Sequence, residues 1–130
     1  MNAFTTIAAA ITPRFDKWRN VIAKILERND GYANADDIYL QCCDYSKLFF
    51  SNSEAFVILS VDEFPKDTRL HISLAGGSTE GLDRLDPIIA EFGRKIGASK
   101  ATFIGRKGLA RVMAKRGWKS PFVYMEKDIE

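Results

Sequence analysis

Apolar positions fall at steps of three and four over Phe15, Trp18, Val21, Ile22, Ile25 and Leu26, the spacing of one face of an amphipathic helix. Thr12 and Pro13 stand immediately before them as a cap and a first-turn proline, so the pattern predicts a helix that starts at residue 13 and stops at Asn29, Asp30 and Gly31. A shorter helix is expected from Asn34, which can cap while Asp36 and Asp37 meet the positive end of the helix dipole; its apolar side is Ile38, Cys42 and Tyr45. The period then changes. Residues 47–50, 55–61 and 69–75 are short runs rich in β-branched and aromatic residues, separated by turn-forming stretches, and they predict a three-stranded antiparallel meander. The middle run is apolar almost throughout, as a strand covered on both faces should be.

Helical spacing returns at Leu82, Leu85, Ile88, Ile89, Phe92 and Ile96, with Ser78 or Thr79 placed to cap this helix and Pro87 expected to kink it, in preference to marking its start with Asp86 as cap. Residues 100–105 predict a further strand and 106–117 a helix with Leu109, Val112 and Met113 inward. Residues 121–129 alternate well enough for a closing strand. The order α-α-β-β-β-α-β-α-β predicts one mixed α/β (α+β) domain over residues 1–130 with helices on both faces of the sheet, its residues 1–12 an N-terminal extension.

At 130 residues and 46% apolar content, such a chain can bury a core without disulfides or metals. No run of about 18 apolar residues exists to span a membrane. The N-terminus lacks the basic leader of a signal peptide, and the only cysteines, Cys42 and Cys43, are adjacent. Adjacent cysteines make a poor disulfide and too small a ligand set for zinc, so no metal is expected and a reducing, cytoplasmic location is.

Charge changes this picture more than composition does. Residues 94–119 hold nine Lys and Arg and no Asp or Glu, within a chain of net charge +2, so the other 104 residues carry −7. Sorting of this kind points to an anionic partner. Lys107, Arg111 and Lys115 form one i, i+4 row, with Arg116 beside it, and the row could follow a phosphate backbone or meet an acidic protein surface. A solvated helix face complementing acids elsewhere in the fold would look the same. Nucleic acid is the less favoured partner, because no exposed aromatics interleave with the cations and the overall charge is mild.

Gly97, a strand-like "KATFIG", a polar turn, the helical "RKGLARVMAKR" and Gly117-Trp118 follow one another in the order and spacing typical of the GNAT (Gcn5-related N-acetyltransferase) superfamily. The form GR.G..R.....GW, from Gly105 to Trp118, is similar to that of small GNAT-like proteins often encoded by tailed bacteriophages, and the resemblance extends over about residues 15 to 128. It implies a GNAT-like mixed sheet and an acyl-CoA, such as acetyl-CoA, lying in a wedge where two central strands diverge. "HISLA" and "ATFIG" would be those strands. It further implies a diphosphate resting on amides at the start of the next helix, and an amine attacking the thioester with help from a base and an acid.

On that resemblance Leu74, Ala75, Gly76, Gly77, Ser78 and Arg106 are the candidate cofactor-binding positions, and His71 and Tyr124 the candidate base and acid. His71 is the single histidine, on a strand face with Ser73 and opposite Leu70, Ile72 and Leu74, and an imidazole exchanges protons near neutral pH. Asp62 and Glu63 are further base candidates. Two departures from the family pattern stand out. The loop "GGSTEGL" lacks the usual Gln/Arg-x-x-Gly-x-Gly/Ala order and brings Glu80 to the diphosphate position, and Met113 stands where the acidic tyrosine usually does. The resemblance therefore leaves two readings: a catalytically degenerate relative acting as a virion or assembly component that docks on phage structural proteins, or an acyl-CoA-dependent N-acyltransferase.

Overall fold

The computed structural model describes residues 3–29 and 31–129. The first helix, α1 (Ala3–Arg28), begins ten residues before the expected start and carries Pro13 in its interior. Proline inside a helix costs about 3 kcal/mol. Ile11 nevertheless lies in the same buried stripe as Phe15, Ile22 and Leu26, so burial of that stripe carries the helix through the proline. Asp30, one of the expected stop residues, lies outside the described residues.

Helix α2 (Ala35–Cys43) starts as expected. Asn34 accepts from the Asp37 amide at 2.9 Å and the Asp37 carboxylate accepts from the Asn34 amide at 2.9 Å, a reciprocal capping box. Arg19 ties the two helices together: it pairs with Asp16 and Asp36 while its guanidinium lies over the rings of Phe15 and Tyr39. Tyr45, expected on the apolar side of α2, lies beyond its end with a left-handed backbone and is exposed.

Strands β1 (Leu48–Ser51), β2 (Ala55–Phe64) and β3 (Asp67–Gly77) form the predicted antiparallel meander, and β4 (Lys100–Phe103) adds to β3 in parallel. The parallel step needs a crossover, supplied by α3 (Thr79–Ile96). Ser78 caps α3 by accepting from the Gly81 amide at 3.0 Å, and Gly97 closes it in the left-handed region at φ 77°. The helix runs through Pro87.

Two apolar layers sandwich the sheet. Phe56, Ile58 and Leu74 pack under α1 and α2, while Ala55, Val57, Leu59 and Leu70 pack against Leu85 and Ile89 of α3. The strict alternation of β2 between these layers is why its sequence reads as continuously apolar.

The chain after β4 departs furthest from expectation. Helix α4 is short (Lys107–Ala114), and Leu109 and Val112 on it are exposed, not inward. Residues 118–129 form no strand; Phe122, Val123 and Met125 are 83–88% exposed. Alternation alone does not make a strand without a partner edge within hydrogen-bonding reach.

Candidate functional site

The geometry centres on the point where β3 and β4 part. Their parallel register runs Arg69–Lys100, Leu70–Ala101, His71–Thr102 and Ile72–Phe103, and there it ends, while β3 continues to Gly77. At the same point the β2–β3 ladder shifts. Ile58 pairs with Leu74 and Leu59 with Ile72, so Ser73 is an extra, bulged residue on β3. A bulge bends its strand and reverses the side-chain alternation beyond it. The reversal is visible in the packing.

Leu70 and Ile72 pack on the α3 side, but Leu74 packs on the α1 side, where unbroken alternation would have kept all three together. This corrects the expectation that Leu74 lies opposite His71. Because β4 ends at Phe103, the β3 backbone from Ser73 to Gly77 has no β4 neighbour, and a gap, or notch, is left beyond the last parallel pair. Crevices of this kind take ligands in open α/β sheets.

His71 sits at the inner limit of the notch, half-buried, with Nδ1 2.9 Å from Thr102 Oγ1 on the neighbouring strand. No partner for Nε2 occurs among the described residues. Lys47 donates to Ser73 Oγ at 3.1 Å, bracing the bulge from across the sheet. Asp62, another base candidate, accepts only a long bond, 3.4 Å, from Ser60, and Glu63 is exposed. Thr102 and Lys47 escaped attention in the sequence because strand register, not spacing, brings them to His71 and Ser73.

Leu74 is 2% exposed, so only its main chain could meet a ligand, whereas Ala75 is exposed. The neighbouring glycines have a packing reason. A Cβ on Gly77 (φ +107°) would lie 2.2 Å from the Glu54 carbonyl oxygen, and one on Gly81 2.8 Å from the Ala55 side chain. Glycine at these positions lets α3 close onto the start of β2 and is not by itself a phosphate signature.

The first turn of α3 already has an acid beside it. Ser78 Oγ donates to Glu54 Oε2 at 3.1 Å, and Arg84 Nη1 meets Glu54 Oε1 at 3.0 Å. Those hydrogen bonds, Arg84 first and Ser78 second, hold the Glu54 carboxyl below its ordinary range. The amides of Thr79 and Glu80 remain without an intrahelical acceptor, as at any helix start.

The other candidates lie apart from His71. Tyr124 is on the exposed tail and donates to Glu126 Oε2 at 3.2 Å. Arg106 precedes α4 without a side-chain capping bond, and Arg111 and Lys115 are exposed. The Lys107 side chain lies outside the described residues. Because α4 ends at Ala114, Lys115 falls at its cap and shortens the expected basic row. Arg116 points back to Asp83 of α3, with Nη1 2.6 Å from Oδ1, so one basic residue does complement an acid within the fold. No group of three His, Cys, Asp or Glu suited to a metal occurs among the described residues, and no described helix is long and apolar enough to cross a membrane.

No protein-family model and no curated protein sequence matches the chain. Solved structures do. An aminoglycoside acetyltransferase from an uncultured soil metagenomic sample, in complex with sisomicin, superposes with a TM-score of 0.65 at 9% identity, covering 91% of this chain and 90% of that one. A crystal structure of a probable acetyltransferase gives 0.67 at 10% identity, covering 91% and 92%. A Trypanosoma brucei acetyltransferase gives 0.57 at 14% identity, covering 74% and 78%. At such identities the likeness speaks to fold: a GNAT-like fold, with its four-stranded mixed sheet.

Proposed function

We propose that this chain is an N-acyltransferase that binds an acyl-CoA in the notch between β3 and β4 and passes the acyl group to an amine. The observation that carries the reading is the coincidence of the bulge at Ser73 with the end of β3–β4 pairing at Ile72–Phe103. Together they free a stretch of strand backbone beside a protonatable side chain. Main-chain groups of residues 73–77 suit the amides of a pantetheine arm, and the Thr79 and Glu80 amides suit its diphosphate. Glu54 and Glu80 oppose a diphosphate there; Arg84, already on Glu54, offsets part of that charge. The acetyltransferase fold of the neighbours supports the reading, and one of them holds an amine-bearing aminoglycoside.

The bound thioester would supply an electrophilic carbonyl. The chain's own part is proton handling. With Nδ1–H directed at Thr102 Oγ1, His71 presents the Nε2 lone pair, which takes the proton lost by the amine as its nitrogen bonds to the acyl carbon. Thr102 orients the ring. The C–S bond then breaks, and the leaving thiolate is protonated by the imidazolium or by water, since Met113 cannot donate a proton.

A melting-temperature titration with acetyl-CoA tests this. Ligand at about 100 times Kd stabilises by about 2.7 kcal/mol, several degrees for a domain of this size. His71→Gln should keep that shift and lose turnover by about 10²-fold or more. Absence of any shift would sink the reading. It would favour the rival, a degenerate relative serving as a phage assembly component, for which Glu54 at the α3 start and the lost acid at Met113 speak.

A further inference from the structure

We infer that the tail after Trp118 is a strand that completes the sheet of a second copy of this chain, pairing antiparallel with the free edge of β4 in a reciprocal exchange. Four observations converge on this. First, β4 ends the strand order β1-β2-β3-β4, so its outer backbone groups have no strand partner. An unprotected edge of this kind recruits another strand. Second, the tail has the composition of a strand but is not one. Phe122, Val123 and Met125 are 88%, 83% and 85% exposed, large apolar surfaces left in water within four residues. Within one copy the chain runs on from Trp118 without pairing with its own β4.

Third, the charges match. Residues 94–119, which include β4, carry nine cations and no acid, whereas residues 120–130 hold Glu126, Asp128 and Glu130 against a single Lys127. Fourth, one register satisfies both sequences. Phe122 opposite Phe103 sets Val123 opposite Thr102 and Met125 opposite Lys100, and the acidic end then runs on past Lys100 toward Lys95. Directly opposed residues share a face, so Phe122 would join Phe103, whose ring already meets Trp118 edge-on at 4.8 Å. Exchange of identical segments between two copies closes a two-fold dimer and consumes both free edges.

The test is the solution mass of the full chain by light scattering, with hydrogen exchange at Lys100–Phe103. Twice the 14.6 kDa chain mass is expected, with the β4 amides protected. Removal of residues 121–130, or the double substitution Val123→Lys with Met125→Lys, should give single copies with rapid β4 exchange, with the helical circular dichroism retained and only strand signal lost. Phe122, Val123 and Met125 are exposed, so neither change disturbs the packed core. A full-length chain that stays at one mass overturns the inference, even with β4 protected, because the tail would then have folded on its own edge. A dimer that survives loss of the tail overturns it equally.

Discussion

Gly77 shows how much one residue can decide. Its φ of +107° lies where side chains rarely go, and an added methyl would meet the Glu54 carbonyl oxygen at 2.2 Å and Ala55 Cα at 2.6 Å, both backbone atoms that cannot step aside. Gly97 has a comparable φ, +77°, yet nothing within 4 Å of a Cβ. The pair separates strain from collision. Gly97→Ala should cost about 1 kcal/mol, and Gly77→Ala at least about 2–3 kcal/mol more, read as urea midpoints at unchanged slope. Equal losses would mean that α3 does not press on β2 as described. Cysteine offers a second residue-scale outcome. Burial, then the neighbouring Cys43, pushes the Cys42 thiol up to about 12, and both sulfurs are buried. A thiol reagent at pH 8 should therefore find neither cysteine in native protein and both after denaturation.

At the scale of elements, the β3–β4 pair is fastened at its start by Asp67. Ser99 donates to Oδ1 at 2.6 Å and Arg69 to Oδ2 at 2.7 Å, and these bonds, Ser99 first, hold the carboxyl below its ordinary range. A carboxyl lowered by folding stabilises above its unfolded value, about 3.9, and loses that contribution as pH falls toward the folded value. Asp67→Asn should thus lower the denaturation midpoint most at neutral pH, with the gap to wild type closing below about pH 4; a constant gap would refute the linkage. Elements governed by local chemistry were legible beforehand: a cap at Asn34, a cap at Ser78 or Thr79, and the cover on both faces of β2. The start of α1 was not, because Thr12-Pro13 is a good local start signal overruled by burial of Ile11 on a helix that begins earlier. Nor was the bulge. Ser73 becomes the extra residue only through its register with β2, so the faces of His71 and Leu74, and with them the notch, could be approached in sequence only by resemblance.

Across the whole molecule, stability should be unevenly spread, and the basic C-terminal unit should be its weakest part. The layers under α1 and over α3 hold the buried core, while α4 buries none of its described side chains and packs on the sheet less than α3 does. Its N-terminus has no side-chain capping bond and no acid in the first turn, and both ends of the segment are cationic. What ties it down is the half-exposed Arg116–Asp83 pair and the Trp118–Phe103 ring contact. Together these supply on the order of 2 kcal/mol, well short of the 5–15 kcal/mol typical of global unfolding. Native-state hydrogen exchange should therefore find α4 opening on its own, with protection at least about tenfold below that of β2 and α3. Trp118→Ala should erase most of that protection while leaving α3 untouched. Added salt should act in the opposite sense on two forces, weakening the Arg116–Asp83 attraction and relieving repulsion among Arg106, Arg111, Lys115 and Lys119. With several like charges against one pair, relief prevails, and α4 protection should rise between 20 and 200 mM salt, roughly the range over which the screening length falls below the spacing of these groups. A fall in protection would mean instead that the Asp83 pair is the principal clamp.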